Sequence, residues 1–274
     1  MKSHEFNQLT SGLGHSPKMP VLFVGHGSPM IAIEENEFVS EFRRLGDAME
    51  KPNAIVCVSA HWETKGSQVT AMEKPQTIHD FGGFPKELFA VQYPAPGSPE
   101  LAQEVRQMVT KSEVGLDYNW GLDHGTWSIV KHMYPEADVP VIQLSIDHTK
   151  DAQYHFDLAK ELAALRHKGV LIVGSGNIVH NLRTLDWYKI NSEFAYDWAE
   201  ETNEKTKKFI LSGDLQSLVN YRKQGSAFEM SIPTPEHYIP LIYAMALKES
   251  NDDISIFNDK TVAGSLSMTS VRIG

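Results

Sequence analysis

A single cysteine, Cys57, leaves no partner for an intramolecular disulfide in 274 residues, which fits a reducing compartment. No apolar run approaches the about 20 residues needed to cross a bilayer. Lysine and arginine form no runs, and the formal charge is −10, which argues against a nucleic-acid surface or a patch for anionic lipid. The start, Met1 to Lys18, is polar and lacks the apolar stretch of a secretory signal. It reads as a flexible leader, residues 1–18, ahead of one domain over 19–274. A chain of this length buries roughly three quarters of its unfolded surface, so its core needs no covalent staples. The expected class is an acidic, cytoplasmic globular protein, monomeric or a small homo-oligomer, with neither nucleic acid nor membrane as partner.

Familiar catalytic signatures are missing too. Gly174-Ser175-Gly176 lacks the third glycine of a dinucleotide fingerprint. There is no Walker loop, no Gly-x-Ser-x-Gly elbow and no His-Glu-x-x-His pair. Ser28 lies near His26, but no acid is spaced to complete a triad. Cys57 falls inside an apolar strand and reads as buried filler.

Histidine, by contrast, is plentiful, at 12 residues. Pro20-Val21-Leu22-Phe23-Val24 is a short apolar run that stops at Gly25-His26-Gly27-Ser28-Pro29. The pattern recurs where Ala54 to Ser59 runs into Ala60-His61-Trp62, and where Val170 to Val173 runs through Gly174-Ser175-Gly176-Asn177 to His180. Each time a buried strand delivers a histidine at or beyond its carboxyl end, the edge at which open α/β sheets bind ligands. Any one of these histidines alone reads as a satisfied turn or core residue. Three in matched positions suggest one site, and neutral imidazoles suggest a metal. His180 reads equally as a packing residue, a ligand or an acid/base group.

Between these strands the chain alternates with helices. Phe38, Phe42, Leu45 and Met49 share a helical face within Met30 to Glu50. Trp62 to Pro96 is a long, turn-rich connection whose aromatic content suggests an ordered wall. Ser98 and Pro99 mark a helix start. Asn119 to Trp127 reads as a turn region holding His124, which is a plain turn histidine, a support for a metal ligand or a substrate contact, with His79 weaker. Val139 to Ile146 reads as a strand, and Ala152 to His167 as a helix with Phe156, Ala159, Leu162 and Leu165 inward. Phe194 to Leu211 is a further amphipathic helix. Thr234-Pro235-Glu236-His237 reads as a helix opening with Thr234 as N-cap, where the dipole disfavours imidazolium and suits His237 to a metal. Glu236 is a rival ligand, but adjacent helical residues point about 100° apart and do not both reach one metal, so Glu236 reads as first-turn dipole complementation. Ser265 to Ile273 closes the chain as a strand. The class is α/β, a single domain with a mixed or mostly parallel central sheet flanked by helices and a metal site at the carboxyl ends of its strands.

Taken together, Gly25-His26-Gly27-Ser28-Pro29, Ser59-Ala60-His61-Trp62, His79-Asp80-Phe81-Gly82-Gly83-Phe84-Pro85, Tyr93-Pro94-Ala95-Pro96-Gly97, Asp123-His124-Gly125-Thr126-Trp127, Ser175-Gly176-Asn177 with His180-Asn181, and Pro233-Thr234-Pro235-Glu236-His237-Tyr238 resemble the 4,5-DOPA extradiol dioxygenase branch of the class III, or LigB-type, ring-cleavage dioxygenases. The resemblance covers nearly the whole chain beyond the leader. It implies one divalent metal per chain, with His26, His61 and His237 as ligands. It implies His180 as a fourth ligand, or as the acid/base that faces dioxygen and substrate in the wider superfamily, and His124 as a substrate-side group. The superfamily's usual site has two histidines and one carboxylate; here His237 takes the third position. Imidazoles suit zinc as well as iron. The protein could therefore be found with Zn(II), while extradiol cleavage of a small catechol by O2, giving a muconic semialdehyde that can cyclise, needs Fe(II). A zinc-dependent hydrolase or a non-catalytic metal-binding protein on the same scaffold are the alternatives.

Overall fold

The computed structural model describes residues 18–190 and 192–274. Six strands build the central sheet: β1 (Val21–Gly25), β2 (Ala54–Ser59), β3 (Val141–Gln143), β4 (Val170–Gly176), β5 (Ile254–Phe257) and β6 (Ser270–Ile273). Their order is β5-β6-β1-β4-β2-β3. β1, β4, β2 and β3 run parallel, whereas β6 is antiparallel to both β1 and β5. The sheet is therefore mixed, with a parallel centre.

Period-two alternation sorts each strand between two cores. Val21, Phe23, Val56, Val58, Val170 and Ile172 face one side. There they meet helices α2 (Pro99–Met108), α4 (Ala152–Glu161), α5 (Asp197–Ser212) and α6 (Ile239–Ala246). Leu22, Val24, Ile55, Cys57, Leu171 and Val173 face the other side. There they meet α1 (Glu37–Ala48) and α3 (His124–Met133). Burial on both faces is why the parallel strands read as continuous apolar runs. Each fully buried Phe, Leu or Ile contributes about 1.5–3 kcal/mol.

Local capping decides where several helices begin. Ser98 Oγ accepts from Leu101 N, with Pro99 in the first turn, as the sequence suggests. The helix expected over Met30 to Glu50 is instead split: Ser28 caps a 3₁₀ turn over Pro29–Ala32, and Asn36 caps α1 by accepting from Val39 N at 3.0 Å. Two capping side chains in succession break the run. Asp123 likewise accepts from Thr126 N and opens α3, so His124 and Trp127 lie in a first helical turn rather than in a loop. The segment expected as one helix to His167 leaves α-geometry at Glu161 and continues as a 3₁₀ stretch, Ala163–Lys168. On α4 the buried face carries His155 and Leu158, and Phe156 is only half-buried. The strand expected over Val139 to Ile146 breaks into β3 and the short Ile146–Asp147.

The leader expected over residues 1–18 lies outside the described residues except for Lys18, whose ammonium bonds Asp252 at 2.5 Å and Glu249 at 3.0 Å. Among the described residues no helix is long and apolar enough to cross a membrane.

Candidate metal centre

β1, β4 and β2 are neighbours in the sheet, and their carboxyl ends share one edge. His26 follows the last residue of β1, His61 comes two residues after β2, and His180 four residues after β4. The parallel register, with Gly25 opposite Gly176 and Ser175 opposite Ser59, brings these ends level.

His237 arrives from another direction. α6 starts at Ile239, so His237 sits in the turn just before it rather than in a first helical turn. Thr234 does not cap a helix; its hydroxyl donates to Glu236 Oε1 at 2.8 Å. The helix-dipole argument for His237 therefore does not apply. Two glycines of β4 let this segment lie on the strand. A Cβ at Gly176 would come within 2.1 Å of His237 O, and one at Gly174 within 2.3 Å of Pro240 O. That close approach allows Asn177 N to donate to His237 O at 2.8 Å, fixing the turn above the strand end.

Three imidazoles converge at this point. Ring nitrogens of His26, His61 and His237 lie within 4.8 Å of one another, and the Nε2 atoms of His26 and His61 are 3.0 Å apart. Hydrogen bonds at the far sides of the rings set which nitrogen holds the proton. His26 Nδ1–H donates to Ser175 Oγ at 3.0 Å, because that hydroxyl spends its own proton on Gly125 O at 2.5 Å. His237 Nδ1–H donates to Glu236 Oε1 at 3.2 Å. In both rings Nε2 keeps a lone pair for the centre. His237 Nε2 is buried with no hydrogen-bond partner, a state that costs free energy unless something fills the position.

Burial, reinforced by the neighbouring imidazoles, pushes His26 and His237 well below the ordinary histidine value and His61 down to about 3. All three are neutral donors near pH 7, the form a metal needs. The donor set fits one divalent ion. His180 stands apart from this triplet. Its ring lies parallel to His237, centroids 3.4 Å apart and 6° between planes, and its nitrogen groups with Glu236 and His237 rather than with His26 and His61. Burial lowers it to about 4.

The model of the family described as the catalytic LigB subunit of aromatic ring-opening dioxygenase matches residues 10–269. This chain belongs to the LigB family. It is 48% identical over 263 residues to the 4,5-DOPA dioxygenase extradiol of Escherichia coli strain K12, covering 94% of this chain and 96% of that one. It is 34% identical to the Beta vulgaris protein of the same name, covering 91% and 94%. The crystal structure of an uncharacterised Escherichia coli K12 protein superposes with a TM-score of 0.82 at 43% identity, covering 93% of this chain and all of that one. The chain is accordingly an enzyme of the extradiol dioxygenase type, and LigB-type dioxygenases use a metal.

Around the three rings, this LigB enzyme places groups that sequence reasoning did not single out. Asp80 reaches in from the 79–85 loop: Oδ1 accepts His124 N–H at 2.9 Å, and Oδ2 accepts His124 Nδ1–H at 2.9 Å and lies 3.4 Å from His61 Nδ1. Burial acts to raise the Asp80 carboxyl, but the hydrogen bonds from His124 outweigh it and hold it below the usual range. His124 faces His61, ring centroids 3.9 Å apart. Under them Gly125 has no room for a side chain, since a Cβ would meet Ser59 Oγ at 2.5 Å and His61 Cδ2 at 2.9 Å. Buried Asp123 accepts from Ser59 Oγ and from Gln143 Nε2, both at 2.6 Å, which anchors the start of α3.

Glu236 holds the His237 ring through Nδ1 instead of complementing a helix dipole. His79 bonds Val91 O at 3.0 Å and ties its loop together. Ser28 caps a turn, and burial pushes the Cys57 thiol up. Neither is a nucleophile in this arrangement.

Proposed function

We propose that this enzyme opens the ring of a small catechol of the DOPA type with O2 by extradiol cleavage, using one divalent metal held by His26, His61 and His237. The observation that carries the reading is the convergence of three neutral ring nitrogens, one of them buried and unpartnered, at the carboxyl edge of a parallel sheet. The names of the Escherichia coli and Beta vulgaris relatives support the catechol and the reaction. Fe(II) bound there supplies the redox chemistry that couples O2 to a catecholate, which zinc, lacking an accessible redox change, does not.

The chain's own groups orient the substrate and move protons. His124 accepts a proton from a catechol hydroxyl, since Asp80 occupies its Nδ1–H and leaves Nε2 open. His180 takes the proton of the other catechol hydroxyl and returns it to oxygen added to the ring; its parallel stacking on His237 supports this role over that of a fourth ligand. Phe81 stands edge-on to His124 at a centroid distance of 5.5 Å, and with Phe84 and Trp127 forms an apolar wall beside it against which an aromatic ring can pack. The ring-opened product is a muconic semialdehyde, which for DOPA cyclises.

Oxygen uptake with L-DOPA tests this, using metal-stripped protein reconstituted anaerobically with Fe(II) or Zn(II). Uptake with iron alone and a yellow ring-opened product is expected. No uptake with either metal across several catechols would overturn the reading and leave the zinc-hydrolase alternative.

A further inference from the structure

Two-point contact distinguishes Asp80 from the other groups around the centre. One oxygen holds the backbone N–H of His124 and the other holds its ring, each at 2.9 Å. The backbone N–H of the first residue of α3 belongs to the set a helix leaves unpaired. Asp80 satisfies it from a loop 44 residues away in sequence. Both side chains are nearly buried, 5% exposed for His124 and 15% for Asp80. With main chain and ring both clamped, the His124 imidazole keeps one orientation and one tautomer. His61 is the other candidate for the carboxylate, but its Nδ1 is 3.4 Å away, beyond the 2.7–3.2 Å of an ordinary N–H···O bond.

We propose that Asp80 is the positioning residue of the proton acceptor: its carboxylate fixes His124 as the Nδ1–H tautomer, so that Nε2 offers its lone pair to the catechol. This rests on the ring-cleavage reading for the reaction it serves, and on geometry alone for the tautomer. In the step concerned a catechol O–H bond breaks and an Nε2–H bond forms. The positive charge that His124 gains is shared with Nδ1–H, which points at the Asp80 carboxylate. No electrons change hands. The arrangement parallels the carboxylate–imidazole pair of serine hydrolases, in which the acid orients the base without taking its proton.

Asp80→Asn inverts the tautomer with little change of shape. The His124 backbone N–H requires an oxygen, so the amide Oδ1 stays there and Nδ2 faces the ring, where it can only donate. His124 must then accept at Nδ1 and carry its proton on Nε2. Long-range ¹H–¹⁵N spectra of the zinc-loaded protein read this directly, with His124 assigned by the signal lost in His124→Phe. The expected result is Nδ1–H in the parent and Nε2–H in Asp80→Asn, with one equivalent of zinc in each. In the iron-loaded enzyme kcat falls about 10²–10⁴-fold, with KM little changed. Asp80→Glu, which keeps acceptors on both sides, restores the Nδ1–H form.

An Nε2–H His124 in the parent protein overturns the proposal whatever the variants do. So does an unchanged tautomer in Asp80→Asn, an inverted tautomer with kcat retained, or loss of zinc, which would place Asp80 with His61. If the parent takes up no oxygen, the ring-cleavage reading fails, and the tautomer comparison still decides what Asp80 does.

Discussion

Ser175 links a proposed metal donor to a backbone carbonyl, and replacing it with alanine should move free energy from folding into metal binding. Ser175 is fully buried; its hydroxyl donates to Gly125 O and accepts from His26 Nδ1–H. Ser175→Ala removes one hydrogen bond from each partner. The Gly125 carbonyl keeps its place in the α3 ladder but gains no alternative to the lost bond, so the metal-free protein should lose about 0.5–1.5 kcal/mol of stability. His26 does have one. It can shift its proton to Nε2 and donate to His61 Nε2, 3.0 Å away. That shift removes the lone pair on which a metal depends. Binding must then drive the proton back to an unpaired Nδ1, and loss of such an outer partner typically costs 10–100-fold in metal affinity. The expected penalty is about 1.4–2.8 kcal/mol on binding. Zn(II) titration against a competing chelator at pH 7 measures it, and urea unfolding of the metal-free protein measures the folding part. Unchanged zinc affinity in a variant that has lost stability would refute the reasoning, because His26 would then hold its Nδ1–H tautomer without Ser175.

His26→Ala, His61→Ala and His237→Ala should each abolish stoichiometric zinc, whereas His180→Ala should keep it and lose about 10²–10⁴-fold in kcat; zinc lost from His180→Ala would make that residue a ligand. Glu236→Gln preserves an acceptor for His237 Nδ1–H and should retain the metal, while Glu236→Ala should weaken it about tenfold or more, and zinc lost from the glutamine variant would argue that the carboxylate itself coordinates. Distant from the site, Asp252 bonds the fully buried Arg166 and Lys18. Burial alone would raise its carboxyl, but these hydrogen bonds prevail and hold it well below the usual range. A depressed carboxyl stabilises above its unfolded value of about 3.9, and that contribution is lost as pH falls towards the folded value. Stability should therefore decline below about pH 4. Asp252→Asn, which cannot titrate, should flatten that decline and cost about 3–5 kcal/mol at pH 7 by leaving Arg166 buried without its anion. Urea midpoints between pH 7 and 3 check both expectations, and parallel curves for the two proteins would count against them.

The histidines visible in the sequence and the groups that stayed hidden differ in how chain direction constrains them. A residue just past a buried parallel strand must emerge at the carboxyl edge of the sheet. His26, His61 and His180 could therefore be brought to one edge from apolar runs alone, before any partner was known. His237 has no strand of its own. Its place depends on Gly174 and Gly176 letting the run-in to α6 lie on β4, and no periodicity announces that two glycines will face a distant turn. The same holds for capping. Asp123 could be read as a turn residue or as an N-cap, and the difference decides whether His124 hangs in a loop or stands at a helix start. The buried Ser59 and Gln143 that bond Asp123 settle it, and they come from β2 and β3. Asp80 was the least legible, because its partner lies across a connection with few regular elements, whose path depends on short pairings such as Gln76–Thr77 with Gly121–Leu122. Donors carried by strand ends are thus encoded locally, whereas the residues that choose each donor's tautomer are encoded only in the folded path. Substitutions in that second group should therefore alter turnover and metal affinity while leaving the pattern of apolar strands, and so the fold, intact.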